Sequence, residues 1–211
     1  MKRLLTLIFV LQASFAASHA ADEAPIVGAI RWDGWYGDGG VVKAVEFSLG
    51  QPKYHFRLPW FAQLLDEGKV RINGDSQAVM EQEIVYAAQA GLNYWGFVDY
   101  LNEAPGMSIG LNRYLTAKDK KGIRYCLVEE GERLDKAGTQ AWSKIVEHFR
   151  HPEYQTVLDG RPLLCLFGKT TKLGRTEWEE LKRQTTASGL KAPYLVLMGW
   201  EAEKDRTALG F

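Results

Sequence analysis

The sequence predicts an α/β fold, the N-terminal part of a (β/α)8 TIM-type barrel with about five parallel strands and their helices. Three patterns carry that reading. Five strand-like runs alternate with helix-like runs along the chain. The strand runs are continuously apolar rather than alternating, as expected of parallel strands covered on both faces. The segments after the strands carry Trp, Asp, Tyr and Glu in place of the Gly-rich phosphate loop usual in a doubly wound sheet. The alternation stops at Gly210-Phe211, where another unit is due. The expectation is therefore a truncated barrel that holds part of a site assembled from all strand ends.

Residues 1–20 read as a secretory signal peptide. Lys2 and Arg3 precede a short apolar run, Leu4 to Leu11, and Ser18-His19-Ala20 places small residues at the cleavage positions. The apolar run is far shorter than the roughly 20 residues that span a bilayer. Residues 21–211 are then an exported domain, periplasmic or extracellular, with no stable membrane insertion after signal cleavage. The first strand is Ile26 to Ile30, running into Arg31-Trp32-Asp33-Gly34-Trp35-Tyr36. Residues 37–74 form a long Gly- and aromatic-rich stretch, read either as a functional loop or as a hairpin covering one end of the barrel. Asp75 or Ser76 caps a helix reaching Ala90, with Gly91 as its terminator. Strand two is Tyr94 to Val98, and a helix follows over Ser108 to Ala117. Strand three is Arg124 to Val128, followed by a helix over Lys136 to Phe149 that Pro152 closes. Asp159-Gly160 turns the chain into strand four, Pro162 to Phe167. Thr176 with Glu179 fits a capping box for a helix ending near Ser188 and Gly189. Strand five is Tyr194 to Met198.

The composition is neutral, with 26 basic and 26 acidic residues and no basic block. Nothing in it signals nucleic acid or an anionic membrane surface. Cys126 and Cys165 lie inside strand runs. Export invites a disulfide, whereas the packing behaviour of free Cys favours two buried thiols on neighbouring strands. Four His without metal-ligand spacing give no metal site and no cofactor. His148 and His151 fall at a helix end, where a cationic ring favours the dipole.

In a barrel the strand C-termini face the site. Those positions hold Trp32, Asp33, Trp35 and Tyr36, then Asp99 and Tyr100, then Glu129 and Glu130, and finally Trp200 and Glu201. Carboxylates supply acid and base or stabilise an oxocarbenium-like transition state, and aromatic faces supply area for sugar rings. Trp32, Asp33, Trp35, Tyr36, Asp99, Tyr100 and Glu129 are the candidate substrate-binding residues. Asp99 can equally cap the loop behind it. One of Glu129 and Glu130 must point away from the site, because neighbours on a strand alternate. Strand four ends Phe167-Gly168 without a carboxylate, which disfavours a retaining arrangement with its acid there.

A run of local motifs resembles the glycoside hydrolase family 99-like proteins, including the WbsX-like group linked to surface polysaccharide loci. Trp35-Tyr36 is similar to the family's aromatic pair after strand one. Arg57-Leu58-Pro59-Trp60 is similar to its Arg-Leu-Pro-aromatic segment, and Asp99-Tyr100 to the end of its second strand. His151-Pro152-Glu153-Tyr154 with Asp159-Gly160-Arg161-Pro162 resembles its turn before strand four. The resemblance spans the N-terminal half of the family domain and departs from it at Glu129-Glu130. It implies a (β/α)-barrel acting on glycans, with catalytic glutamates in a later Trp-Asn-Glu-like segment. This sequence has no such segment, so no catalytic residue is assigned. The expectation is an exported glycan- or polysaccharide-active protein whose catalytic half is absent from this chain. The alternatives are a non-catalytic carbohydrate-binding protein and a truncated, inactive gene product. Five strands without closure also leave open edges through which two copies can pair.

Overall fold

The computed structural model describes residues 25–66, 68–101, 105–200 and 202–209. The signal peptide expected over residues 1–20, Glu201 and Gly210-Phe211 lie outside the described residues. The elements run β1 (Gly28–Arg31), α1 (Gly40–Leu49), β2 (Gln63–Asp66), β3 (Lys69–Arg71), α2 (Gln77–Gln89), β4 (Tyr94–Asp99), α3 (Ile109–Thr116) and β5 (Arg124–Glu130). They continue with α4 (Gly131–Ala137), α5 (Ala141–Phe149), β6 (Thr156–Val157), β7 (Arg161–Phe167), α6 (Arg175–Ala187), β8 (Tyr194–Met198) and α7 (Ala202–Leu209).

The protein is α/β, with a mostly parallel sheet flanked by helices. Its five parallel strands lie in chain order, β1-β4-β5-β7-β8. A doubly wound sheet would reverse that order at a switch point; this one does not. With right-handed crossovers, a monotone order sends the helices to one face. The contacts agree. Glu83 of α2 bonds Arg31 of β1, and Tyr114 of α3 packs on Trp95 and Phe97 of β4. His148 of α5 meets the Tyr125 hydroxyl of β5, and Trp178 of α6 packs on Trp142 of α5. Among the described residues β1 and β8 pair only with their inner neighbours, so both remain edges.

The core lies between that face and the helices, around Trp95, Phe97, Tyr114, Tyr125, Leu127, Trp142, Leu164 and Trp178. Tyr154 ties β5 to β7, its hydroxyl donating to the Leu163 carbonyl at 2.7 Å and accepting from the Leu127 amide at 3.1 Å. Below it, Glu153 to Gln155 bond the backbone of Tyr125, and β6 turns back antiparallel onto β7. Cys126 and Cys165 are buried free thiols on adjacent strands.

Three local expectations change. The helix expected over Lys136 to Phe149 is two helices, α4 and α5, broken where Gly138 takes φ +59°. The α6 cap is Gly174, whose amide donates to Glu177 at 2.8 Å, rather than Thr176 with Glu179. The stretch 37–74 holds α1, a 3-10 turn over Pro52–Arg57 and the β2–β3 hairpin. Nothing in the sequence announces α1, because its cap, Gly39, has no side chain to mark the start. Among the described residues no helix is long and apolar enough to cross a membrane.

Candidate functional site

Side chains alternate across each strand. Ile30, Val98, Val128, Phe167 and Met198 therefore share the face opposite α2, α3, α5 and α6, in the observed strand register, with Val41 of α1 and Met107 bordering them. They floor a groove of about 550 Å³. At the C-terminal strand ends its wall is Trp32, Tyr100, Glu130 and Arg133. Arg133, in the first turns of α4, lies 4.8 Å above the Tyr100 ring and bonds Glu130 at 2.5 Å. Burial raises the Tyr100 phenol above its usual pKa, opposed by the Trp32 indole and the Arg133 charge.

A second hollow, of about 540 Å³, lies against the outer side of β1. Trp32, Trp35, Trp60, Tyr86 and Trp95 supply rings to it, with Asp33 and Glu83 among its polar groups. Trp60 stands edge-on to Tyr86 at 6.0 Å. Trp32 lines both hollows and is 51% exposed. Its ring folds over Gly34, where an added Cβ would sit 2.5 Å from the indole. Glycine at that position thus holds Trp32 in place.

The other sequence candidates separate into two buried clusters. Asp33 and Tyr36 belong to a network centred on Arg31. The guanidinium donates to Asp33 at 2.7 Å and 2.9 Å, to Glu83 at 2.9 Å and to the Tyr36 hydroxyl at 3.2 Å. It also lies 4.5 Å above the Trp95 ring. Burial raises the Asp33 and Glu83 carboxyls, and the Arg31 charge opposes that rise. Burial also raises the Tyr36 phenol. Trp35 packs edge-on to Phe61, with its indole N–H enclosed and without a hydrogen-bond partner.

Asp99 and Glu129 are register partners on β4 and β5, on the helix-side face rather than in the groove. Asp99 accepts the Leu101 amide at 3.1 Å, the capping role open to it from sequence. Glu129 is fully enclosed, and neither carboxyl oxygen has a partner within hydrogen-bonding geometry. Burial holds its pKa well above the usual range, and the neighbouring Asp99 carboxyl adds to the rise. Burial pushes the His148 pKa below its usual value, against the raising effect of Asp99 and Glu147.

No protein-family model and no curated protein sequence matches the chain. The geometry thus carries the argument. Trp32 and Tyr100 meet in the groove, Trp35 and the Arg31-bound Asp33 line the second hollow, Tyr36 and Glu129 are buried, and Asp99 caps the loop behind it. Sequence reasoning placed Glu130 among the strand ends but chose Glu129, and it missed Arg133, Glu83 and Tyr86. Glu130 was within reach, since it must share a face with Val128; the alternation leaves open only which face the helices take. Among the described residues no cluster of three or more His, Cys, Asp or Glu is placed to hold a metal.

Proposed function

We propose that this chain is the glycan-contacting arc of an exported (β/α)-barrel protein of the glycoside hydrolase family 99-like kind, and that alone it binds sugar without cleaving it. The observation that carries the reading is Trp32, a half-exposed indole just after β1 that is shared by two ring-lined hollows. A flat apolar face beside charged hydrogen-bonding groups suits a sugar, which has one apolar side and a rim of hydroxyls. The monotone strand order and the packing of α2, α3, α5 and α6 on one face support the barrel, and the basic and apolar N-terminal run supports export.

The acids favour binding over turnover. Glycoside hydrolysis ordinarily needs two carboxyl groups flanking one bond. Among the described residues Glu130 is the single carboxylate lining the groove, and it is bonded to Arg133. Asp33 and Glu83, in the second hollow, are both held by Arg31.

Calorimetric titration of the chain with mannose-containing oligosaccharides and bacterial surface polysaccharides tests this. Saturable binding is expected, weakened about tenfold or more by Trp32→Ala, a loss typical of a central aromatic contact. The thermal midpoint should stay unchanged. Gly34→Ala should weaken binding in the same way, by displacing the indole. Absence of binding to every glycan, or release of reducing sugar by the chain alone, would refute the proposal.

A further inference from the structure

The segment between β1 and α2 presents a surface that the sugar-binding reading does not use. On α1, Lys43 and Phe47 are one turn apart and both exposed. The 3-10 turn adds Lys53, Phe56 and Arg57, all exposed. Phe47, Tyr54 and Arg57 line one hollow of about 370 Å³, and the Arg57 guanidinium lies 5.3 Å from the Phe56 ring. The two phenylalanines and the cations are therefore contiguous. Phe47 is 80% exposed and Phe56 79%. The β2–β3 turn packs beside this patch, since the Gly68 carbonyl would stand 2.8 Å from a Cβ on Gly50. That hairpin exposes Leu64 and Leu65.

Two acids of this segment, Glu46 and Asp38, are engaged by other groups. Glu46 accepts the Ile72 amide at 2.8 Å and lies 3.8 Å from Arg71, and Asp38 bonds Arg71 at 2.6 Å. Among the described residues Lys43, Lys53 and Arg57 pair with no carboxylate. Lys53 and Arg57 instead stack on the Tyr54 ring, at 4.8 Å and 5.7 Å. The patch is thus two protruding apolar tips ringed by cations. The cations are scattered over 15 positions of sequence and converge only in the fold, which is why no linear basic block announces them.

We propose that this patch docks the protein peripherally on an anionic lipid surface. Phe47 and Phe56 enter between headgroups, while Lys43, Lys53 and Arg57 meet lipid phosphates. Protruding Phe flanked by Lys and Arg is the chemistry of interfacial binding. A sugar polymer would instead find the Tyr54 and Phe56 rings already engaged by cations. A protein partner would have to supply both acids and apolar pockets.

The test is co-sedimentation of the full chain with vesicles of phosphatidylglycerol and phosphatidylcholine in equal parts, and with pure phosphatidylcholine. Wild type should bind the anionic vesicles in a salt-sensitive way. Binding should fall on the order of tenfold for Phe47→Ser with Phe56→Ser, and similarly for Lys53→Glu with Arg57→Glu. The leader is common to every variant, so the differences report the patch, and circular dichroism checks each fold. Variants that bind as wild type does would overturn the proposal, as would wild type that ignores anionic vesicles. Equal retention of wild type and the Phe variants on soluble dextran sulfate, with no difference on vesicles, would assign the cations to an anionic polymer. A sedimentation shift lost in the Phe variants, without vesicle binding, would assign the patch to a second copy of the chain.

Discussion

Arg31→Met is expected to destabilise the fold by about 3–5 kcal/mol, the usual cost of removing one partner from a buried charge cluster. The Arg31 side chain is 9% exposed and bonds two carboxyls, Asp33 and Glu83, besides the Tyr36 hydroxyl. Met keeps much of the apolar packing on Trp95 and Phe97 but removes the charge. The two carboxyls then stay buried without a counter-ion and must take up protons or open the edge of β1. Against a total stability of about 5–15 kcal/mol, that is a large fraction. Urea unfolding followed by tryptophan fluorescence measures it. Adding Asp33→Asn and Glu83→Gln should recover much of the loss, because the uncompensated charges go with the cation. A loss within about 0.5 kcal/mol of wild type, the range of ordinary surface substitutions, would contradict a network that holds β1 to α2.

Glu129→Gln should instead stabilise the protein at neutral and higher pH. The folded pKa of Glu129 lies above the unfolded value, chiefly through burial and then through Asp99. The folded state therefore keeps a proton that the unfolded chain releases. The stability this provides is complete below the unfolded pKa of about 4.3 and is lost as pH rises toward the folded value. Within that window the loss approaches about 1.4 kcal/mol per pH unit. Of the ionisable groups around the carboxyl, Asp99 lies beside it on β4, Tyr154 packs under the same strands, and His148 lies on α5. Asp99 and Tyr154 carry no positive charge that would hold Glu129 ionised, and burial disfavours one on His148. Urea midpoints at pH 5 and pH 8 should separate less in Glu129→Gln than in wild type, and Asp99→Asn should reduce the separation by a smaller amount. Equal pH slopes in all three proteins would show that Glu129 is not a buried acid.

These two predictions rest on residues that the sequence reading placed differently or passed over. The strands were legible: a continuous apolar run such as Leu195-Val196-Leu197 marks a strand, and Tyr194–Met198 appears where expected, although each of its residues is only partly buried. Terminators were legible too, since Gly91, at φ +78°, ends α2 as the sequence required. The phase of each strand was not. Alternation says that Glu129 and Glu130 face opposite ways, but only the helix layer decides that Glu130 meets the groove. Arg31 escaped notice because its partners, Asp33 and Glu83, lie 2 and 52 positions away and meet only across β1 and α2. The same holds for Lys43, Lys53 and Arg57, whose convergence depends on α1, an element with no marked cap.

The most direct test of the glycan-contacting surface is residue-resolved tryptophan oxidation. The chain is treated with limiting N-bromosuccinimide, with and without a saturating oligosaccharide from the binding panel, and each Trp is mapped by mass spectrometry. Trp200, exposed and outside both hollows, serves as the reference. The account predicts that ligand protects Trp32 first and Trp60 second, while Trp200 reacts unchanged. Equal oxidation of Trp32 with and without every glycan would contradict it.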